Sequence, residues 1–307
     1  MVNPICPIDE LLSIRDYIRW GSTQLAQAET YCGHGTDNPW DEAVYLVLGC
    51  LQIPWERAEQ ALDARLTTEE KQHLSSLLQY RIRDRVPVAY LINTAWFAGM
   101  SFYVDERVLI PRSPIAELIE RGFSPWICGD EVFQVLDLCT GSGCIGIACA
   151  QAFPDANVDL VDISSAALEV AAINIRKHHL DHRVTAIESD LFAELKGAQY
   201  DLIVSNPPYV DADDLKNMPV EYQHEPELGL ASGRDGLDCI KRILSQAGQH
   251  LTEYGVLVAE VGNSHTALAL AFPKVPFLWL ELERGGHGVF VLTCAQLKQF
   301  ADESACR

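Results

Sequence analysis

The chain has 307 residues, 48% of them hydrophobic and 21% charged, a balance that excludes a disordered polypeptide and leaves room for two domains of ordinary size. Its net charge of −20 opposes the electrostatic hold by which most proteins grip a nucleic-acid backbone, and it divides into −5 over residues 1–100 and −15 over residues 101–307, so the second part would draw a basic protein partner. No apolar run reaches the roughly 18 residues of a membrane span, and MVNPICPIDELLS at the start lacks a basic region followed by an apolar core, so a cytoplasmic protein is expected.

Residues 1–95 read as helices separated by short breaks. In IDELLSIRDYIRWGSTQLAQAE the residues Leu11, Ile14, Ile18 and Leu25 fall on one helical stripe. NPWDEAVYLVLGCL opens with Asn38 as an N-cap and Pro39 at the first helical position. TTEEKQHLSSLLQYRIRDR opens with Thr67 and Glu70 at the spacing of a capping box. These signals predict a small helical bundle and carry no chemistry.

Beyond Pro87 the pattern changes. AWFAGMSFYVDERVLIPR holds two short, partly alternating runs around Gly99, which predict a β-hairpin linker over residues 96–111. From residue 112 strand-like and helix-like stretches alternate: FQVLDL, GCIGIACAQAF, NVDLVDI, SAALEVAAINIRK, RVTAIESDLF and YDLIVSN. Such alternation favours a parallel sheet covered on both faces, with strands beginning near residues 133, 158, 184 and 201. FLWLELERGGHGVFVLT instead reads as an antiparallel hairpin around Gly285, Gly286 and Gly288. The expected fold class is α/β, a Rossmann-like, mostly parallel sheet with a C-terminal antiparallel hairpin over residues 112–307, preceded by the helical domain. None of the ten cysteines forms a C-x-x-C pair, and Cys139, Cys144 and Cys149 recur within an apolar segment as small hydrophobes. The histidines of HHLDH, His178 to His182, sit at the end of a predicted helix, where they suit its dipole, so no metal is expected.

VLDLCTGSGCIGIA sets Gly141, Gly143 and Gly146 in a G-x-G-x-x-G spacing between a strand and a helix. Glycine lets the backbone turn tightly and approach a ligand, so the loop reads as a nucleotide-type site at the carboxyl end of the first strand. Asp162, ending the next strand, can accept hydrogen bonds from both ribose hydroxyls. The plainer alternative is glycines that serve only helix packing, with Asp162 capping the following helix. A nicotinamide dinucleotide and S-adenosylmethionine share this architecture. Asp137, just before the loop, would add negative charge beside a diphosphate, but suits the cationic amino group of a methionine tail. Asp190, Leu191 and Phe192 of SDLF end a third strand at the same edge and could bracket an adenine. The three acids fit one adenosyl amino acid, so S-adenosylmethionine is the expected cofactor in preference to a nicotinamide.

SNPPYV, residues 205–210, follows the fourth strand, across the switch point from the glycine loop. Pro207 and Pro208 end the ladder. An amide or aromatic amine nitrogen is a poor nucleophile because its lone pair is delocalised. The side-chain carbonyl of Asn206 and the backbone carbonyl of Pro207 can accept both hydrogens of an –NH₂, aligning it with the methyl–sulfur axis and favouring the more positive nitrogen of the transition state. Tyr209 can pack against the planar group that carries it. No strong base is needed beforehand, since the nitrogen becomes acidic as it gains the methyl.

With these motifs in order the chain resembles the HemK-like protein-glutamine N-methyltransferases across most of its length. FYVDERVLIPRSPIAELI together with YQHEPELGLASGRDGLD is similar to the branch that methylates a glutamine of the third protein of the large ribosomal subunit; in the release-factor branch IPR tends to be followed by proline rather than Ser113. The resemblance implies that Asn206, Pro207, Pro208 and Tyr209 engage the glutamine amide. It implies that Cys139, Thr140, Gly141, Ser142, Gly143, Asp162 and the 190–192 segment line the cofactor, with Asp137 and Asn206 beside them. Cys139 and Leu191 depart from the family's glycine or aromatic positions, and Leu191 weakens an adenine stack.

The rival activities are methylation of a release factor and of adenine N6 in DNA or RNA, since adenine also presents an –NH₂ on a planar group. Base flipping is normally helped by basic grooves, and this chain offers only local clusters such as RIRDR at 81–85, read as a solvated helix face or as contact with ribosomal RNA. A non-enzymatic assembly factor that retains the cofactor pocket is the rival from another class. Arg112 and Glu225 flank the expected site, either touching the substrate peptide or pairing with charged neighbours.

Overall fold

A computed structural model of the chain describes residues 9–305. The first eight residues, part of the stretch from which the absence of a leader was read, lie outside the described residues. The chain divides into two compact units. One takes the described residues up to Ala95 together with Val104–Glu106 and Pro219–His224; the other takes Trp96–Tyr103, Arg107–Met218 and the chain from Glu225 onward.

The first unit contains helices α1 (Ile14–Gln27), α2 (Pro39–Cys50), α3 (Ala58–Ala61), α4 (Thr68–Arg83) and α5 (Val88–Leu91). Asn38 caps α2 by accepting from the Asp41 amide, with Pro39 at its first turn, and Thr67 and Glu70 form the capping box of α4. A second capping box, Ser13 with Asp16, starts α1, whose Ile14, Ile18 and Leu25 are buried. The RIRDR stretch is not wholly a solvated face. Arg81 is buried, its guanidinium meeting the carboxylates of Glu42 and Glu221 and the carbonyl of Tyr31. A charge so buried is tolerated only because two acids and a carbonyl replace its water. Arg83, by contrast, is exposed and pairs with Asp84.

From Trp96 the second unit takes a hairpin, β1 (Ala95–Phe97, its first residue belonging to the first unit) and β2 (Met100–Phe102), turned by Ala98 and Gly99 at φ +46° and +75°. Both turn residues lie in the left-handed region that two-residue hairpin loops require. Phe97 and Phe102 are buried in the same core as α6 (Ile115–Glu120) and α7 (Cys144–Ala152), so the hairpin is packed rather than free-standing. A seven-stranded sheet follows, built from β3 (Gln134–Leu138), β4 (Asn157–Asp162), β5 (Val184–Glu188), β6 (Tyr200–Ser205), β7 (Leu251–Glu260), β8 (Leu278–Trp279) and β9 (Val289–Thr293), in the order β5-β4-β3-β6-β7-β9-β8. The first five in that order are parallel, and β9 runs antiparallel to both β7 and β8. The chain order reverses between β3 and β6, which is the topological switch point.

Alternate strand residues feed two cores. Leu202 and Val204 join α6, α7 and α8 (Ser165–Lys177) on one face, and Ile203 joins α10 (Asp238–His250), α11 (His265–Ala271) and α12 (Cys294–Ala305) on the other. A short α9 (Ala212–Asn217) follows the 205–210 segment. The parallel sheet and terminal antiparallel pair agree with the sequence reading, though FLWLELE contributes only two paired residues. Strand β7 and helix α10 were not singled out in the sequence, because LTEYGVLVAE begins with polar residues and a glycine. Gly255 sits where the β6–β7 register shifts, and a Cβ there would stand 2.7 Å from the carbonyl of Tyr200. No helix among the described residues is long and apolar enough to cross a membrane.

Candidate functional site

The site begins where β3 stops. Leu138 leads into Cys139 at φ +58°, and the turn continues through Gly141 at +55° and Gly143 at +82° before α7 starts at Cys144. Gly146 serves packing: a Cβ there would lie 2.1 Å from Leu160 Cδ2. Close approach of helix to strand therefore requires the last glycine of the motif, while the first two shape the loop.

Asp137 stands beneath this loop rather than on its open side. It is fully buried and absent from the cavity wall. One carboxylate oxygen accepts from the Thr140 hydroxyl and from the Gly146 amide at 2.8 Å. The other is buried without a hydrogen-bond partner among the described residues. Burial pushes its carboxyl up to about 7 against the pull of those two bonds.

Asp162, at the end of β4, reaches the loop from the side. Its Oδ2 accepts from the Gly141 amide and its Oδ1 from the Ser164 amide, each at 2.9 Å. Burial raises its pKa while these amides lower it. The cap of α8 is Ser164, not Asp162. Of the SDLF segment, Asp190 and Leu191 line the cavity. Asp190 pairs with Arg242 at 2.8 Å, which holds its carboxyl below the usual range. Leu191 is buried at φ +53°. Phe192, expected from the sequence beside the cofactor, is buried off the cavity wall, with its ring stacked 4.6 Å from that of His250.

At the end of β6, the Ser205 hydroxyl donates to the Leu138 carbonyl at 2.8 Å, tying the strand ends across the switch point. Asn206 and Pro208 line the cavity. The Asn206 Oδ1 is buried without a hydrogen-bond partner among the described residues. Pro207 is buried and Tyr209 half-buried, and neither is on the wall. The Tyr209 hydroxyl donates to Glu260 at 2.9 Å, and its ring lies against Gly262, where a Cβ would stand 2.6 Å from a ring carbon. On that side the ring packs on the protein's own backbone.

These residues surround one cavity of about 360 Å³, which the glycine loop residues from Cys139 to Ser142, Asp162, Asp190, Leu191 and Asn206 share. Gly143, at the helix start, is not on its wall. The cavity also takes Arg107 to Ser113, Leu228, Gly229 and Ala231 to Gly233, together with Cys239 and Arg242, all within the second unit. Sequence reasoning missed Cys239 and Arg242 because α10 was missed. Their signal was the hydrophobic period of DCIKRILSQAG, with Ile240, Ile243, Leu244 and Ala247 buried. The Cys239 and Cys139 sulfurs stand 3.9 Å apart. Arg112 and Glu225 form a bidentate pair at 2.6 and 2.8 Å, and Glu225, fully buried, also accepts from the Ile110 amide. The structure thus contains the ion pair, and Arg112 also lines the cavity. Among the described residues no cluster of three or more His, Cys, Asp or Glu side chains could hold a metal ion.

A cavity whose wall combines a glycine loop, a strand-end aspartate and an unpartnered amide oxygen suits a nucleoside-bearing ligand on one side and a hydrogen-bond donor on the other. The sequence model of the family "Methyltransferase small domain" matches residues 129–221. A ribosomal protein uL3 glutamine methyltransferase of Francisella tularensis subsp. tularensis is 53% identical over 296 residues, covering 96% of this chain and 94% of that protein. The protein of the same name in Xanthomonas campestris pv. campestris is 50% identical, covering 94% of each. Among solved structures, the catalytic domain of hMettl16 in complex with a MAT2A 3′UTR hairpin is similar in fold, with a TM-score of 0.51 at 15% identity, covering 73% of this chain and 81% of that one.

Proposed function

Because the chain belongs to the ribosomal protein uL3 glutamine methyltransferases, as its relatives at 50–53% identity show, we propose that it methylates the side-chain amide nitrogen (N5) of a glutamine in uL3, with S-adenosylmethionine as the methyl donor. The observation that carries this reading is the buried, unpartnered Oδ1 of Asn206 on the wall of the cavity that the glycine loop and Asp162 also line. A buried acceptor without a donor is costly, and an incoming –NH₂ supplies that donor.

The residues present fit the cofactor. Asp162 keeps lone pairs beyond those used by Gly141 and Ser164, and they can accept ribose hydroxyls. Leu191 offers an apolar surface to the base. Asp137 acts from below, holding Thr140 and Gly146 so that the loop keeps its turn, and in its ionised form it favours a cationic amino group nearby. When bound, the cofactor supplies an electrophilic methyl on a sulfonium.

The protein's own contribution to the step is orientation. Asn206 Oδ1 takes one amide hydrogen and points the nitrogen's lone pair at the methyl, and the family resemblance assigns the other hydrogen to the carbonyl of Pro207, a residue behind the cavity wall. As a C–N bond formed at the expense of the methyl–sulfur bond, the nitrogen would become more positive and be held more strongly by its acceptors, a transition-state effect, and it would then give up one of its protons to solvent. Residues 1–95 serve recognition of the protein substrate in this reading. The net charge of −15 over residues 101–307 suits a basic ribosomal protein, and a cytoplasmic location follows from such a substrate.

The test is transfer of labelled methyl to purified uL3, a release factor and duplex DNA. Labelling of uL3 is expected. Preferential labelling of the release factor or of DNA overturns the substrate. Asn206→Ala should lower turnover by about 100-fold or more while S-adenosylhomocysteine affinity is kept; unchanged turnover removes Asn206 from the mechanism.

A further inference from the structure

We propose that Glu260 is a positioning residue for methyl transfer, a buried carboxylate that fixes Tyr209 and through it the aim of Asn206. The inference rests on the reading that Asn206 receives the substrate amide.

Glu260 ends β7, the strand beside β6, and is 5% exposed. A carboxylate in such a place is kept only by hydrogen-bond donors. It has two, from segments far apart in the chain: the Tyr209 hydroxyl on Oε1 at 2.9 Å and the Ser113 hydroxyl on Oε2 at 2.6 Å. Ser113 also accepts from the Ile115 amide at 3.2 Å, so its proton is committed to Glu260. Burial raises the pKa of Glu260 while the two hydroxyls and the nearby Arg112 lower it, and in its ionised form the carboxylate only accepts. Both hydroxyl protons therefore have one direction, and the tyrosine ring has one position.

Tyr209 is held at three further points. Its ring rests on Gly262, its carbonyl accepts from the Ser264 hydroxyl at 2.8 Å, and a Cβ on Gly236 would stand 2.4 Å from that carbonyl. Between Tyr209 and Asn206 lie only Pro207 and Pro208, each with φ fixed by its ring. A stiff two-residue link passes any shift of the tyrosine to the amide that must hold the substrate nitrogen. Misplacement of a reacting group by 1 Å can cost about 100-fold in rate. Glu260 and Ser113 are not needed to touch substrate for this effect.

The experiment uses the full chain with Tyr209→Phe, Glu260→Gln and the pair. It measures kcat and KM for purified uL3 and the affinity for S-adenosylhomocysteine. Each single substitution should lower kcat by about 10-fold or more, with KM and S-adenosylhomocysteine affinity within about two-fold. The pair should be no slower than the slower single, because both cut the same link. Tyr209→Phe removes one oxygen from a half-buried ring, and retained S-adenosylhomocysteine affinity reports that each variant is folded. Unchanged kcat in Tyr209→Phe overturns the proposal. So do losses that multiply in the pair, or losses confined to KM and cofactor affinity. Asn206→Ala measured alongside separates the two levels: if it turns over normally the underlying reading has failed, and if it is inactive while Tyr209→Phe is normal only the role of Glu260 has failed.

Discussion

The carboxylate of Asp137 holds the amide of Gly146, nine residues further on, at 2.8 Å, and a Cβ added to that glycine would stand 2.9 Å from the Cβ of Asp137. The first turn of α7 is thus set directly against the strand that precedes the loop. The acid also meets the positive end of the helix.

Gly146→Ala is expected to destabilise the protein by about 1–3 kcal/mol, because the new methyl meets Leu160 and Asp137 in a packed interior. Urea denaturation measures it. An unchanged midpoint would show that the helix moves away freely.

Asp137 also predicts a pH dependence. Its carboxyl is raised from 3.8 to about 7 in the folded chain, so between those values the folded state holds a proton that the unfolded state has lost. The contribution of this group to the stability of the cofactor-free protein is therefore greatest near and below 3.8, falls as pH rises to about 7, and is level above. Asp137→Asn should remove that slope. Denaturation midpoints of both proteins from pH 5 to 8 compare them, and equal slopes would assign the proton elsewhere.

Arg112→Ala leaves the fully buried Glu225 without its bidentate partner. A loss of roughly 3–5 kcal/mol is expected, and Glu225→Gln in the same chain should recover part of it. Chemical denaturation of the single and double variants decides between this coupling and independent effects, for which the two losses would add.

Phe192 and Asp162 should separate stability from ligand binding. Phe192→Ala is expected to cost about 3–5 kcal/mol in stability and to leave S-adenosylhomocysteine affinity within about two-fold. Asp162→Ala should weaken that affinity by at least about 10-fold, the loss of a charge-assisted hydrogen bond. Calorimetric titration of both variants is the measurement; an affinity loss on removing Phe192 would return that ring to the ligand.

Much of this architecture was written locally. Asn38 with Pro39, and Thr67 with Glu70, mark helix starts because a cap is settled within four residues. The strands before the glycine loop, Asp162 and Asn206 were legible because a buried parallel strand is a short apolar run ended by turn residues. Helix α10 and strand β7 were not, since the helix joins the strand without a break and Gly255 interrupts the strand's period at a bulge.

The sequence by itself determined the α/β order of the second unit, the glycine loop at a strand end, and the placing of Asn206 at the end of a buried strand, all consequences of periodicity and turn chemistry within about ten residues. Only the tertiary structure decided which way the side chains at those positions face. Asp137 turns beneath the loop because Thr140 and Gly146 satisfy it there. Phe192 turns to His250, and Tyr209 to Glu260 and Gly262, because those partners arrive from more than 50 residues away. A side chain's direction is set by whichever distant surface can bury it and satisfy its polar atoms, and that surface exists only once the sheet has assembled.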